Sequence, residues 1–465
     1  MFSATDIERI DETALRLLSD PGVRLEHDGV IARLLAAGAQ PGHDAQVVRL
    51  PRAMVHERIA LAPRVIQLAD MNGQITEVAA GGPSLFWTGA ALNWADLAGR
   101  CSPITSDLLA DWARLVDTLG SVHGIVGTAL EDVPPRGRDF VGLRIMAENC
   151  RKHLRALSFS PLGAEAMKEM VTVLAGGSLR NRPLFSMGFT AHGPLRWTHL
   201  ALDIFVRSAG AGIPVMVNGE PMAGASAPVT LAGEAAVGHA EILAGIVVNE
   251  VLEPGRPVIH NLGFSHIMDM RTAIAVTGGA ETCLLAAVGA ALARRHGLPS
   301  ASWMCTDAMI PDEQAAAESM LAAVTHAAAG VNVIWGVGQL ESEKTISPAK
   351  AVMDDEIVAI ARRFVRGVEV NDETLAEELV RQVGIAGQFL DSEHTLDRFR
   401  GELHQPRLLC RVPRDRWKSE GSRSFARRAA ERAGELLAAS RPPLLNPAVS
   451  GELARIEAHY LKAIQ

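Results

Sequence analysis

The stretch ASWMCTDAMIPDEQ (residues 301–314) sets a large ring, Trp303, and a carboxylate, Asp307, at the end of an apolar run. In a chain with 4% aromatic residues and a single tyrosine, that pairing marks a place where a ring is wanted. The ends of comparable apolar runs carry the same types. Trp87, Phe189 and Trp335 are rings, Glu220 is a second carboxylate, and His260 and Asn261 are polar neighbours. Ring faces with carboxylates suit a cation that cannot donate hydrogen bonds, and a good ring contact with a quaternary ammonium is worth roughly 0.5–2 kcal/mol. On this reading Trp87, Phe189, Trp303 and Trp335 hold the cation, and Glu220 and Asp307 balance its charge. His260 and Asn261 orient a carboxylate tail. Any one of these rings is more readily explained as core filling; their convergence is what speaks for a pocket.

Other chemistry has less support. No HExxH, CxxC or GxSxG occurs, which leaves zinc hydrolysis and an elbow-type serine nucleophile without a local motif. Cys305 has no activating base beside it and reads as a packed thiol, His192 opens a loop, and Glu341, Glu343 and Lys344 read as a surface pattern. The five cysteines are scattered and odd in number, which suits reduced thiols in the cytoplasm and argues against a disulfide frame or a Cys-rich metal site. A net charge of −8 without a basic stripe speaks against nucleic acid. The amino terminus lacks a signal-peptide pattern, and "AEILAGIVVNEVL", interrupted by Glu and Asn, is too short for a membrane span.

The elements that must position these residues follow a regular order. Short apolar runs at 84–89, 121–130, 154–160, 183–189, 214–220, 257–263, 300–306 and 332–338 alternate with helical patterns. Eight such units in about 255 residues predict an α/β fold, a (β/α)₈ barrel, with its site at the carboxyl ends of the strands. The rival, an open doubly wound sheet, lacks a Gly-rich phosphate fingerprint after its early strands. Residues 1–80 read as helices and a hairpin turning at Asn72-Gly73, 81–354 as the barrel, and 355–465 as a helical extension.

Long segments of the chain then show a likeness. "SAPVTLAGEAAVGHAEILAGIVVNEVLEPGRPVIHN" (226–261), "TDAMIPDEQAAAESM" (306–320), "GVGQLESEKTISPAKAVMDDEIVAIARRFVRGVEV" (336–370) and "GQFLDSEHTLDRFRGELHQPRLLCR" (387–411) resemble the trimethylamine methyltransferase superfamily. The resemblance implies a (β/α)₈ barrel that passes a methyl group from an amine to the cobalt of a cobalamin-type corrinoid on a separate protein. Members acting on trimethylamine carry pyrrolysine, in the region of Trp303–Asp312, whereas this chain has only standard residues there. By resemblance it falls in the non-pyrrolysine branch, whose members demethylate quaternary amines such as glycine betaine. The implied partners are a corrinoid protein and a small quaternary amine, with no corrinoid held tightly by this chain, which has no DxHxxG-type motif. The terminal helices leave room for a homo-oligomer. The alternatives are a barrel that binds methylated amines without transfer and a trimethylamine-type enzyme.

Overall fold

The computed structural model describes residues 2–439 and 442–464. Eight strands form its centre: β1 (Leu85–Thr88), β2 (Gly124–Val126), β3 (His153–Arg155), β4 (Met187–Thr190), β5 (Val215–Asn218), β6 (Val258–Gly263), β7 (Ser300–Trp303) and β8 (Val333–Val337). Each lies within, or one residue beyond, one of the eight apolar runs. They pair in parallel in the order β3-β2-β1-β8-β7-β6-β5-β4. The ring closes where Leu154 bridges to Phe185, with the Leu154 amide donating to the Leu184 carbonyl at 3.0 Å. This is the closed barrel that the run spacing predicts, not the open sheet.

Strand alternation sorts the side chains into two cores. Leu85, Trp87, Val126, Met216, Ile259, Ala301, Trp303, Val333 and Trp335 point into the barrel and pack together. Phe86, Ile125, Leu154, Phe189, Val217, Leu262 and Ile334 point outward into a larger core shared with the helices. Those helices start where their sequences supply caps. Ser160 accepts from the Gly163 amide ahead of Pro161–Leu174, Asp312 from Ala315 ahead of Glu313–Ala328, and Ser347 from Lys350 ahead of Pro348–Val365.

The hairpin Val65–Ala69/Ile75–Ala79 closes the amino end of the barrel. It sends Ile66, Leu68 and Val78 into the inner core, and Ala69 bonds to Pro183 just before β4. Its turn contains Asn72 and Gly73, as the sequence predicts, with Gly73 at φ +87° and the Asp70 carboxylate bracing the amides of Asn72 and Gln74. The boundary drawn at 354 falls inside the helix Pro348–Val365, because the eighth barrel helix continues through the charged DDE at 354–356 without a break. Within it the buried Lys350 pairs with Asp354 at 2.5 Å and donates to Ser319 of the neighbouring helix.

The amino-terminal helix Ala4–Ser19 lies on the long helix Leu231–Leu252. Asp11 joins them, accepting from His239 (3.1 Å), His296 (2.9 Å) and Arg295 (2.9 Å). Leu231–Leu252 is, by length and composition, long and apolar enough to cross a membrane, a length that the shorter run singled out from sequence does not show. It is packed inside the protein, with Glu234, His239, Glu241, Asn249 and Glu250 all buried along it. At the other terminus, helix Phe425–Ala438 packs on Pro348–Val365 and helix Pro447–Ile464 on Pro161–Leu174. Between Pro348–Val365 and Phe425–Ala438 the short helices of 372–402 are largely exposed.

Candidate active site

Trp87, Asn261, Trp303 and Trp335 face the barrel interior. Trp303 stands in register with Trp335, and Trp335 with Trp87. The Trp303 and Trp335 rings stack with centroids 5.9 Å apart. Phe264, just past β6, completes a box of three rings, 4.5 Å from Trp335 edge-on and 5.4 Å from Trp303. Trp303 is held by its indole N–H, which donates to Gln339 Oε1 at 2.5 Å. Gln339 in turn packs over Gly89, where a Cβ would overlap its amide. Trp87 lies apart from the box, stacked on His153 at 5.0 Å, in space that exists because residue 124 is a glycine. Asn261 donates to Asn218 Oδ1 at 2.8 Å and Asn218 to Thr190 Oγ1 at 3.0 Å, an amide ladder across β6, β5 and β4.

Two residues named from strand ends do not join this group. Phe189 faces outward, stacked on Phe205 of the covering helix with centroids 4.0 Å apart. Its neighbour Gly188 takes the inward position, since adjacent residues of a strand cannot share a face. The same rule separates His260 from Asn261. The His260 ring is fully buried on the outer side, 2.9 Å from His239 Nδ1, and burial there holds its pKa well below the usual range.

Asp307 is engaged elsewhere. Its carboxylate accepts from the Thr277 amide (2.9 Å) and hydroxyl (2.7 Å), the Gly278 amide (3.0 Å) and the Ser342 hydroxyl (2.5 Å). Rather than facing a cation, it ties the loop after β7 to those following β6 and β8. The β8 loop needs such ties. Glu341, Ser342 and Glu343 all adopt left-handed φ (54°, 52° and 83°), which costs non-glycine residues on the order of 1 kcal/mol each. Backbone bonds from Glu341 to Ala308 and from Ser342 to Thr306 hold it in place.

That loop carries the carboxylate which sequence reasoning assigns to the surface. Glu343 is half-buried, within electrostatic reach of Glu220 and Arg155. Burial pushes Glu343 up to about 8, with the nearby Glu220 adding to the rise, and burial alone pushes Glu220 up to about 7. Neither carboxylate takes a hydrogen bond from the described residues, in contrast to Asp307. Arg155, on β3, also faces inward, with its guanidinium over the Trp335 ring at 5.1 Å. A sequence signal for it exists: an arginine between Leu154 and Ala156 inside an apolar run, where charge is costly. Cys305 lies in the same interior with its thiol pushed up to about 12 by burial, so it stays protonated. His192 is exposed on its loop.

The fold and its contents define the class: a closed (β/α)₈ barrel with rings and free carboxylates gathered at the carboxyl ends of its strands. Residues 1–459 match the family model described as Trimethylamine methyltransferase (MTTB). The chain therefore belongs to that family, and it is an enzyme that transfers methyl groups from a methylated amine. Among its relatives is the trimethylamine methyltransferase MttB of Desulfitobacterium hafniense (strain DCB-2), 29% identical and covering 98% of this chain and 92% of that protein. A glycine betaine methyltransferase of Desulfitobacterium hafniense (strain Y51) is 28% identical, covering 97% and 95%. The crystal structure of the Methanosarcina barkeri monomethylamine methyltransferase (MtmB) superposes with a TM-score of 0.55 at 14% identity, covering 93% of this chain and 86% of that one, a likeness of fold.

Proposed function

We propose that this enzyme takes the methyl group from a quaternary amine and delivers it to the Co(I) of a separate corrinoid protein, with glycine betaine the first compound to try. The observation that carries this reading is the box of Phe264, Trp303 and Trp335, with two carboxylates near Arg155 that take no hydrogen bond from the described residues. A tertiary amine must gain a charge before it can leave, whereas a quaternary nitrogen already carries one. As the C–N bond breaks its electron pair stays on nitrogen, and the amine departs neutral without a general acid. Reduced corrinoid cobalt supplies the nucleophile that receives the methyl carbon.

What remains for the residues of this chain is positioning. Ring faces hold the cation, the mouth limits water, and one methyl points outward in line with the acceptor. Keeping Cys305 protonated serves the same end, because a thiolate there would compete for the methyl group. The corrinoid stays on its own protein in this reading, since the chain has no DxHxxG-type motif. We place the reaction in the cytoplasm, which suits five unpaired cysteines. The test mixes the purified protein with a reduced corrinoid protein and glycine betaine, choline or tetramethylammonium. Methyl-cobalt absorbance should grow with at least one. Silence with all three, or turnover with trimethylamine alone, would refute the quaternary-amine reading.

A further inference from the structure

Arg155 faces the interior, and the cation box does not explain it. Arg155 is only 5% exposed, forms no ion pair among the described residues, and its Nε has no acceptor. Glu343 lies within electrostatic reach but does not hydrogen-bond to it, and a buried charge without a hydrogen-bonded partner costs several kcal/mol, so such a position without a ligand is destabilising. The fold nonetheless makes room for it: a Cβ on Gly188 of the adjacent strand would sit 2.0 Å from the guanidinium. A second donor close by is also unused, because the indole N–H of Trp335, the ring under that guanidinium, finds no acceptor among the described residues. Arg155 remains charged at neutral pH, although burial lowers it to about 10. Two unpartnered donors, one of them a cation, call for an anionic ligand that accepts and does not donate.

We propose that Arg155, with the Trp335 N–H, is the anchor for a carboxylate on the substrate, so that the amine accepted here is a zwitterion and not a plain tetraalkylammonium. This rests on the quaternary-amine reading for the other end of the molecule. The ammonium lies among the rings and carboxylates while its carboxylate pairs with the fork of Arg155, a geometry that guanidinium matches with two parallel bonds. Charge is then balanced at both ends, and the position of the anchor decides which methyl points out of the mouth.

Calorimetric titration and thermal shift with three probes test this: glycine betaine, choline (the same head with a hydroxyl tail) and 3,3-dimethylbutyrate (the same shape with carbon for nitrogen). Glycine betaine should bind the wild type at least tenfold tighter than choline, and 3,3-dimethylbutyrate should bind measurably. Arg155→Met should lose glycine betaine at least tenfold and 3,3-dimethylbutyrate entirely, and leave choline unchanged. It should also unfold no earlier than the wild type, since it removes an unpaired buried charge; a merely structural arginine would show the opposite. Choline equal to glycine betaine, or Arg155→Met binding glycine betaine as before, overturns the anchor and leaves the quaternary-amine reading standing. Loss of both carboxylates in Arg155→Met, together with no methyl transfer from any quaternary amine, supports the anchor and refutes that reading.

Discussion

A quaternary ammonium arriving at the barrel mouth meets Glu220 and Glu343 partly protonated, because burial has moved them to about 7 and about 8. The cation favours the ionised carboxylates, so binding must expel protons, and affinity must rise with pH through that range. Linkage limits the effect to about tenfold per pH unit for each proton released. Glycine betaine should therefore bind more tightly at pH 8 than at pH 6, with proton release visible as a dependence of the binding heat on buffer. Glu343→Gln should flatten that profile and weaken binding at pH 8 about tenfold, since it removes a full charge from beside the ligand. A pH-independent affinity would remove these two carboxylates from the site. Sequence reasoning finds Glu220 at a strand end but misses Glu343, whose place depends on a left-handed loop tied down by Asp307. Such a loop leaves no periodic trace. Asp307 itself is recognisable as a carboxylate near the mouth, yet its four donors come from loops more than 25 residues away in sequence.

At the scale of elements, inner and outer faces of the strands have separate duties, and so do the two ends of the barrel. The hairpin fills the amino end with Ile66, Leu68 and Val78, opposite the mouth. Leu68, 3% exposed, contributes packing alone. Leu68→Ala should cost about 2–5 kcal/mol in denaturant unfolding, as a buried leucine deletion does. The affinity for glycine betaine should stay within about twofold, because the defect lies at the far end of the barrel. A large loss of affinity would mean that the plug shapes the mouth. The eight strands and the hairpin turn are legible because apolar runs, helix caps and Asn-Gly are local signals. Facing is legible in principle: a two-residue period admits Asn261 and excludes His260, and admits Gly188 and excludes Phe189. Naming both members of a neighbouring pair ignores that constraint. The boundary at 354 cuts the helix Pro348–Val365 for another reason: helical patterning from 355 onward is legible, but not the pairing of Lys350 with Asp354 that carries the same helix across that point.

Across the whole molecule, buried carboxylates bias stability toward lower pH. Glu234 and Glu343 are pushed up to about 8, and Glu220, Glu241 and Glu250 to about 7, in each case chiefly by burial. A group whose folded pKa is raised stabilises fully below its unfolded pKa and ceases to do so as pH climbs through the folded value. For these five glutamates that loss extends through pH 8. Histidines act in the opposite sense: burial lowers His123 and His153 to about 4 and His326 to about 3, so their contribution is lost only as the solution becomes acidic. Above about pH 7.5 these histidines are largely neutral in both states and drop out, leaving the glutamates to set the slope. The thermal midpoint at fixed ionic strength and scan rate should therefore fall steadily from about pH 7.5 to about pH 8.5. Saturating glycine betaine should make the decline shallower, because the ligand-bound protein has already ionised Glu220 and Glu343 and no longer loses their protons over that range. A midpoint that rises over this interval would mean that these carboxylates are ionised in the native protein without a ligand, and the mouth would then carry its negative charge before any cation arrives.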